Sequence, residues 1–118
     1  MGTFNCALRL TSMDGERSLD LEALVDTGAF LTTVPGRMLD DLGVDRDGSI
    51  ELQFADGRTE RYDAGRAWAS VDGMREVTRV VFGGDDCLVL LGAYTLEGLN
   101  LAADPVNQRL LPVKVRPG

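Results

Sequence analysis

Histidine is absent from the 118 residues. Its absence removes Ser-His-Asp and Cys-His catalysis, together with ordinary His-based zinc sites. Acid–base chemistry is left to carboxylates. Cysteine is scarce: Cys6 and Cys87 stand far apart, in no metal-ligand spacing. Both lie in apolar alternating runs and read as buried free thiols, and nothing supports a disulfide between them. No metal and no organic cofactor is expected. No apolar run approaches the ~18 residues that a membrane span needs. The N-terminus carries no charged-then-apolar signal pattern, so the expectation is a cytoplasmic protein with no membrane partner. Lysine is nearly missing, and the basic residues are scattered arginines. With a net charge of −7 and a pI of about 4.4, the chain offers no basic stripe to nucleic acid.

What is present is a soluble, globular composition, 44% hydrophobic and 26% charged. The length suits one compact domain over residues 1–118, small enough to gain from a partner subunit. Phe4, Cys6, Leu8 and Leu10 alternate with Asn5, Ala7 and Arg9, the period of a half-buried strand. A turn at Met13-Asp14-Gly15-Glu16 follows, and Leu19, Leu21, Ala23 and Val25 form one face of a second strand. Leu31 to Val34 resumes strand character, Pro35 closes it, and Gly36 to Leu42 predicts helical turns ended by Gly43. Ile50, Leu52 and Phe54 alternate up to the turn Ala55-Asp56-Gly57-Arg58, with Thr59 to Tyr62 returning. Gly65–Val71 and Met74–Phe82 flank the hairpin signal Asp72-Gly73. Cys87 to Leu91 is a continuous apolar run, predicted to be a strand buried on both faces. Ala93 to Leu99 predicts a short helix. Leu101–Asp104 and Arg109–Val115 predict a last hairpin around Pro105-Val106-Asn107-Gln108. The sum is an all-β barrel or sandwich with one or two short helices.

One stretch interrupts the pattern. Val25-Asp26-Thr27-Gly28-Ala29 sets an acid, a hydroxyl residue and a glycine between two apolar runs, and Thr32, Thr33 and Val34 follow. Leu90-Leu91-Gly92 echoes it, a second apolar strand running into a small-residue turn. An Asp in that setting either caps a turn or does chemistry.

The segment Val25 to Ala29 with Thr32-Thr33-Val34 resembles the active-site segment of retropepsin-like aspartic proteases, here of the small microbial single-domain type. Leu90-Leu91-Gly92, with the helix from Tyr94 to Glu97, is similar to that family's second signature. The hairpin Phe54-Ala55-Asp56-Gly57-Arg58 sits where the family carries its flap, and Leu99 to Pro112 resembles the end of small microbial members. The resemblance implies a closed acid-protease barrel of about six strands. It implies catalytic roles for Asp26, Thr27 and Gly28. It also implies substrate contacts at Ala29, at Phe54, Ala55, Asp56 and Gly57 of the flap, and at Leu91. Many viral members carry an acid after Ala29 and an Arg after the second glycine; this chain holds Phe30 and Ala93-Tyr94 there.

Peptide hydrolysis needs a base to activate water and an acid to protonate the leaving nitrogen. Two carboxylates sharing one proton supply both, because like charges a few ångströms apart cannot both ionise. This chain has one Asp-Thr-Gly; Asp14, Asp47, Asp56 and Asp72 precede glycine directly, at turn signals. One chain thus provides half a dyad. The expectation is a homodimeric aspartic endopeptidase acting on peptide or protein, with Asp26 facing its own copy across a two-fold axis. The rivals are a weakly active or inactive dimeric peptide-binding module of the same fold, and a monomeric barrel in which Asp26 caps a turn.

Overall fold

A computed structural model describes residues 3–114. Nine strands and two short helices follow in chain order: β1 (Phe4–Thr11), β2 (Ser18–Val25), β3 (Thr32–Pro35), α1 (Gly36–Leu42), β4 (Ser49–Gln53), β5 (Thr59–Val71), β6 (Met74–Gly83), β7 (Leu90–Leu91), α2 (Ala93–Gly98), β8 (Leu101–Asp104) and β9 (Arg109–Pro112). The first seven strands order as β1-β2-β7-β3-β6-β5-β4, and β1 also pairs with β5. Six strands therefore close a ring, and β4 hangs on its outside, paired to β5 alone. The fold is all-β with two short helices, as the residue pattern predicted, and it is the closed barrel of about six strands that the resemblance implied.

Alternation decides which faces meet inside. Leu8 and Leu10 of β1, Val25 of β2, Val34 of β3, Ala67, Ala69 and Val71 of β5, and Val80 of β6 are all almost fully buried. At ~25 cal/mol per Å² of apolar surface removed from water, this shared interior is the main force closing the ring. Helix α1 seals one side through Leu39 and Leu42 and ends where Gly43 turns left-handed at φ 89°. Helix α2 seals another through Leu96, with Leu99 just beyond it.

Two predicted elements differ. Thr59–Tyr62 and Gly65–Val71 are one continuous 13-residue strand, β5. The glycine read as a boundary lies inside the ladder, because a Cβ there would run into the Asp45 carbonyl and the Val44 side chain. Conversely, the run Cys87–Leu91 is strand only at Leu90 and Leu91, and Leu88 is 67% exposed. Only those two residues are laddered between β2 and β3, so the preceding leucine has no sheet to bury it. The thiols are free, as read, but half-buried instead of buried. Burial, and secondarily the Asp72 charge, still pushes Cys6 up to about 11. The closing hairpin stops at Pro112; Val115, predicted to extend it, lies outside the described residues.

Candidate active site

Two turns cross at one end of the barrel. Strand β7 lies between β2, to which it is parallel, and β3, to which it is antiparallel. The ladder continues one step past β2, where the Asp26 N–H donates to the Leu91 carbonyl at 3.1 Å. Above it the chain folds back, with the Ala29 N–H donating to the Asp26 carbonyl at 3.0 Å. The second turn then locks onto the first: the N–H groups of Ala93 and Tyr94 donate to the carbonyls of Ala29 and Phe30, at 2.9 and 2.8 Å.

Gly92 makes this crossing possible. A Cβ on it would lie 2.7 Å from the Phe30 carbonyl oxygen and 2.7 Å from the Leu31 carbonyl carbon, closer than carbon tolerates. Its N–H donates to Thr32 Oγ1 at 3.1 Å, and Thr32 Oγ1 meets Thr95 Oγ1 at 2.6 Å. Thr95 Oγ1 in turn meets Thr78 Oγ1 at 2.8 Å. All three threonines are buried, so each hydroxyl is satisfied inside the protein and ties β3, α2 and β6 beneath the turns. Of the three, only Thr32 stood out in the sequence, through its motif. Thr95 lies in the second signature's helix but was not singled out there, and Thr78 sits in an ordinary half-apolar stretch that carries no signal of its own.

Asp26 is half-buried as a residue, and its Oδ1 accepts the Gly28 N–H at 3.0 Å on the exposed side of the turn. That bond by itself marks only a turn: Asp14 accepts from Glu16 and Asp56 from Arg58 in the same i→i+2 manner. The setting distinguishes Asp26. Asp14 and Asp56 cap exposed hairpin tips, whereas Asp26 stands on the strand crossing. Gly28 and Ala29, next in its turn, line a cleft of about 280 Å³.

The cleft is walled by Phe30, Leu31 and Leu90 on the crossing side, Val81 of β6, and Ile50, Leu52 and Phe54 from the β4–β5 hairpin. Of the predicted site residues, Gly28, Ala29 and Phe54 therefore meet around one cavity. Thr27 is exposed at the top of the turn. Ala55, Asp56 and Gly57 form the hairpin's exposed tip and do not reach the cleft. Leu91, predicted as a substrate contact, does not line the cleft, whereas its neighbour Leu90 does. Leu91 is fully buried in the core, and strand alternation turns Leu90 toward the cleft instead. Ile50, Leu52 and Val81 were not singled out as site residues, although the period-2 pattern of the hairpin could have nominated the first two.

Where many viral aspartic proteases carry an ion pair, this chain has an aromatic contact within itself. The Phe30 and Tyr94 rings meet edge to face with centroids 5.6 Å apart. Both are exposed, Phe30 at 63%. Among the described residues no group of His, Cys, Asp and Glu converges as a metal site.

No family model and no curated protein sequence matches the chain. Among solved structures, the solution structure of the Simian Foamy Virus (mac) protease is similar, with a TM-score of 0.55 at 18% identity. The likeness covers 79% of this chain and 91% of that one. The fold is retropepsin-like. The β2–β7 crossing forms one side of the cleft, its floor, and the β4–β5 hairpin the other, its roof. No helix among the described residues is long and apolar enough to cross a membrane.

Proposed function

We propose that this chain, as a single domain over residues 1–118, is one subunit of a homodimeric aspartic endopeptidase whose catalytic dyad is Asp26 and its copy in the partner. The ionised carboxylate takes a proton from water, and the water oxygen attacks the peptide carbonyl carbon. The protonated carboxyl donates to the carbonyl oxygen as charge develops there. The tetrahedral species then collapses as a proton passes to the nitrogen and the C–N bond breaks. Water is the nucleophile, and no metal or cofactor is required. Gly28 holds the Asp26 carboxylate through its N–H. Thr27 braces the dyad across the subunits, and the hairpin carrying Phe54 closes over an extended peptide, excluding water.

The observation that carries this reading is the location of the one Asp-Thr-Gly. Its Asp is fixed by the Leu91 carbonyl at the crossing of two turns, beside an apolar cleft, in a retropepsin-like fold. The histidine-free composition leaves carboxylates as the plausible acid–base machinery.

A peptide-library digest at mildly acid pH, run with Asp26→Asn beside the parent, tests it. The substitution is expected to lower turnover by about 10²–10⁴-fold while leaving circular dichroism and molecular mass unchanged. Equal cleavage by the two proteins sinks the mechanism. Binding of peptides without cleavage by the parent leaves a peptide-binding module, and a strict monomer at high concentration removes the dyad.

A further inference from the structure

The cleft has a charged annex. On one face of the barrel, Arg66 of β5 stands directly opposite Arg79 of β6 in the antiparallel register. Like charges in that relation repel, and sheets ordinarily avoid them. Arg66 has Asp47 at 3.4 Å, whereas Arg79 has no acidic partner among the described residues. With Tyr94 and Gly65 these groups line a hollow of about 310 Å³, in a molecule whose net charge is −7. The hollow adjoins the cleft. Val81, which lines the cleft, and Arg79 are two residues apart on β6 and so share its face, roughly 7 Å apart along the strand. Tyr94 lines the hollow, Phe30 lines the cleft, and their edge-to-face contact is the wall between them.

We propose that this annex is a subsite for a substrate carboxylate, gripped by Arg79 with Arg66 and the Tyr94 hydroxyl. The proposal rests on the peptidase reading of the cleft. Guanidinium forks match a carboxylate in two parallel hydrogen bonds, and an anion between two facing arginines relieves their repulsion. The carboxylate comes from an Asp or Glu side chain a few residues from the bond cleaved, or from the peptide's C-terminus.

The test uses a peptide that the parent protein cleaves, taken from the library digest. It is compared with versions carrying Gln in place of each Glu, Asn in place of each Asp, and a C-terminal amide. One version is expected to lose about tenfold in kcat/KM, mostly through KM, as removal of one charge-assisted contact predicts. A side-chain or C-terminal source is told apart by which version suffers. In Arg79→Gln that preference collapses toward one, whereas in Arg75→Gln, whose guanidinium lies over Trp68 instead, it stays. Because the arginine pair is repulsive, Arg79→Gln is expected to melt no lower than the parent. Indifference of the parent to all three peptide changes overturns the subsite, as does a preference that survives in Arg79→Gln. A dimer lost in Arg79→Gln also overturns it, by assigning the arginine to a subunit contact. If no peptide is cleaved, fluorescence anisotropy of labelled acidic and amidated peptides on the Asp26→Asn protein reads the same preference. Failure of the peptidase reading is thereby separated from failure of the subsite.

Discussion

The floor and the roof of the cleft are built on opposite terms. The floor is tertiary: β7 comes from some 55 residues beyond β3 to lie between β2 and β3, and the turns interlock backbone to backbone. Buried hydroxyls and one glycine with no room for a methyl hold it. The roof is local. Strand β4 pairs only with β5, and the hairpin tip is stitched by neighbours in sequence. Arg58 reaches Asp56 and Glu60 and lies over the Phe54 ring, and Tyr62 donates to Glu60 at 2.6 Å. Exposed pairs of that kind each contribute little, ~0–1 kcal/mol. The two sides of the cleft thus differ in kind: one is fixed by buried interlocking contacts, the other by exposed pairs between near neighbours.

The largest blow to this contrast falls on the floor. Gly92→Ala places a methyl against the Phe30–Leu31 backbone, and rigid backbone cannot yield as a side chain could. A loss of about 3 kcal/mol or more is expected in chemical denaturation, with unfolding of part of the population as a second sign. A near-neutral effect would mean that the crossing is looser than its contacts imply.

Thr95→Val keeps shape and removes the central hydroxyl of the buried trio, stranding that of Thr78 and leaving that of Thr32 with the Gly92 N–H alone. The expected cost is about 1–3 kcal/mol. Amide exchange at Gly92, Ala93 and Tyr94 is expected to quicken, while exchange in the hairpin tip stays as it was. Acceleration confined to the tip would reverse the assignment of floor and roof.

The smallest effect belongs to the roof. The hydrogen bond to Glu60, and then the partial burial of the ring, hold the Tyr62 phenol above its ordinary range. A raised folded value means that the stabilisation is fully present below the unfolded phenol's pKa of about 10, and is lost as pH rises through the folded value. Ultraviolet titration should show one tyrosine ionising late, and Tyr62→Phe should remove it with little change in melting at neutral pH. A Tyr62 phenol ionising at the ordinary value would put the Tyr62–Glu60 bond outside the solution structure.

Local chemistry made most of the elements legible. The period-2 runs of β1, β2 and β4 and the hairpins at Gly15 and Gly57 needed only short windows, as did the end of α1 at Gly43. The misread parts are those whose state depends on distant neighbours. Gly65 looks like punctuation until the Asp45 carbonyl is seen crossing it. Leu88 looks like core until the strand it heads is seen to be two residues long. Leu91 looks like a wall of the site until β2 and β3 take its side chain into the core.

The sequence by itself determined the chemistry on offer: no histidine, one Asp-Thr-Gly and a matching Leu-Leu-Gly. Those are facts of residue type and order, and folding does not alter them. Tertiary structure alone decided which threonines share their hydroxyls, that Leu90 and not Leu91 meets the cleft, and that Arg66 faces Arg79. Each of these depends on strand register and on the crossing of chain segments some 60 residues apart, as Thr32 and Thr95 are. Closure of the ring sets such relations, and no local window of sequence contains them.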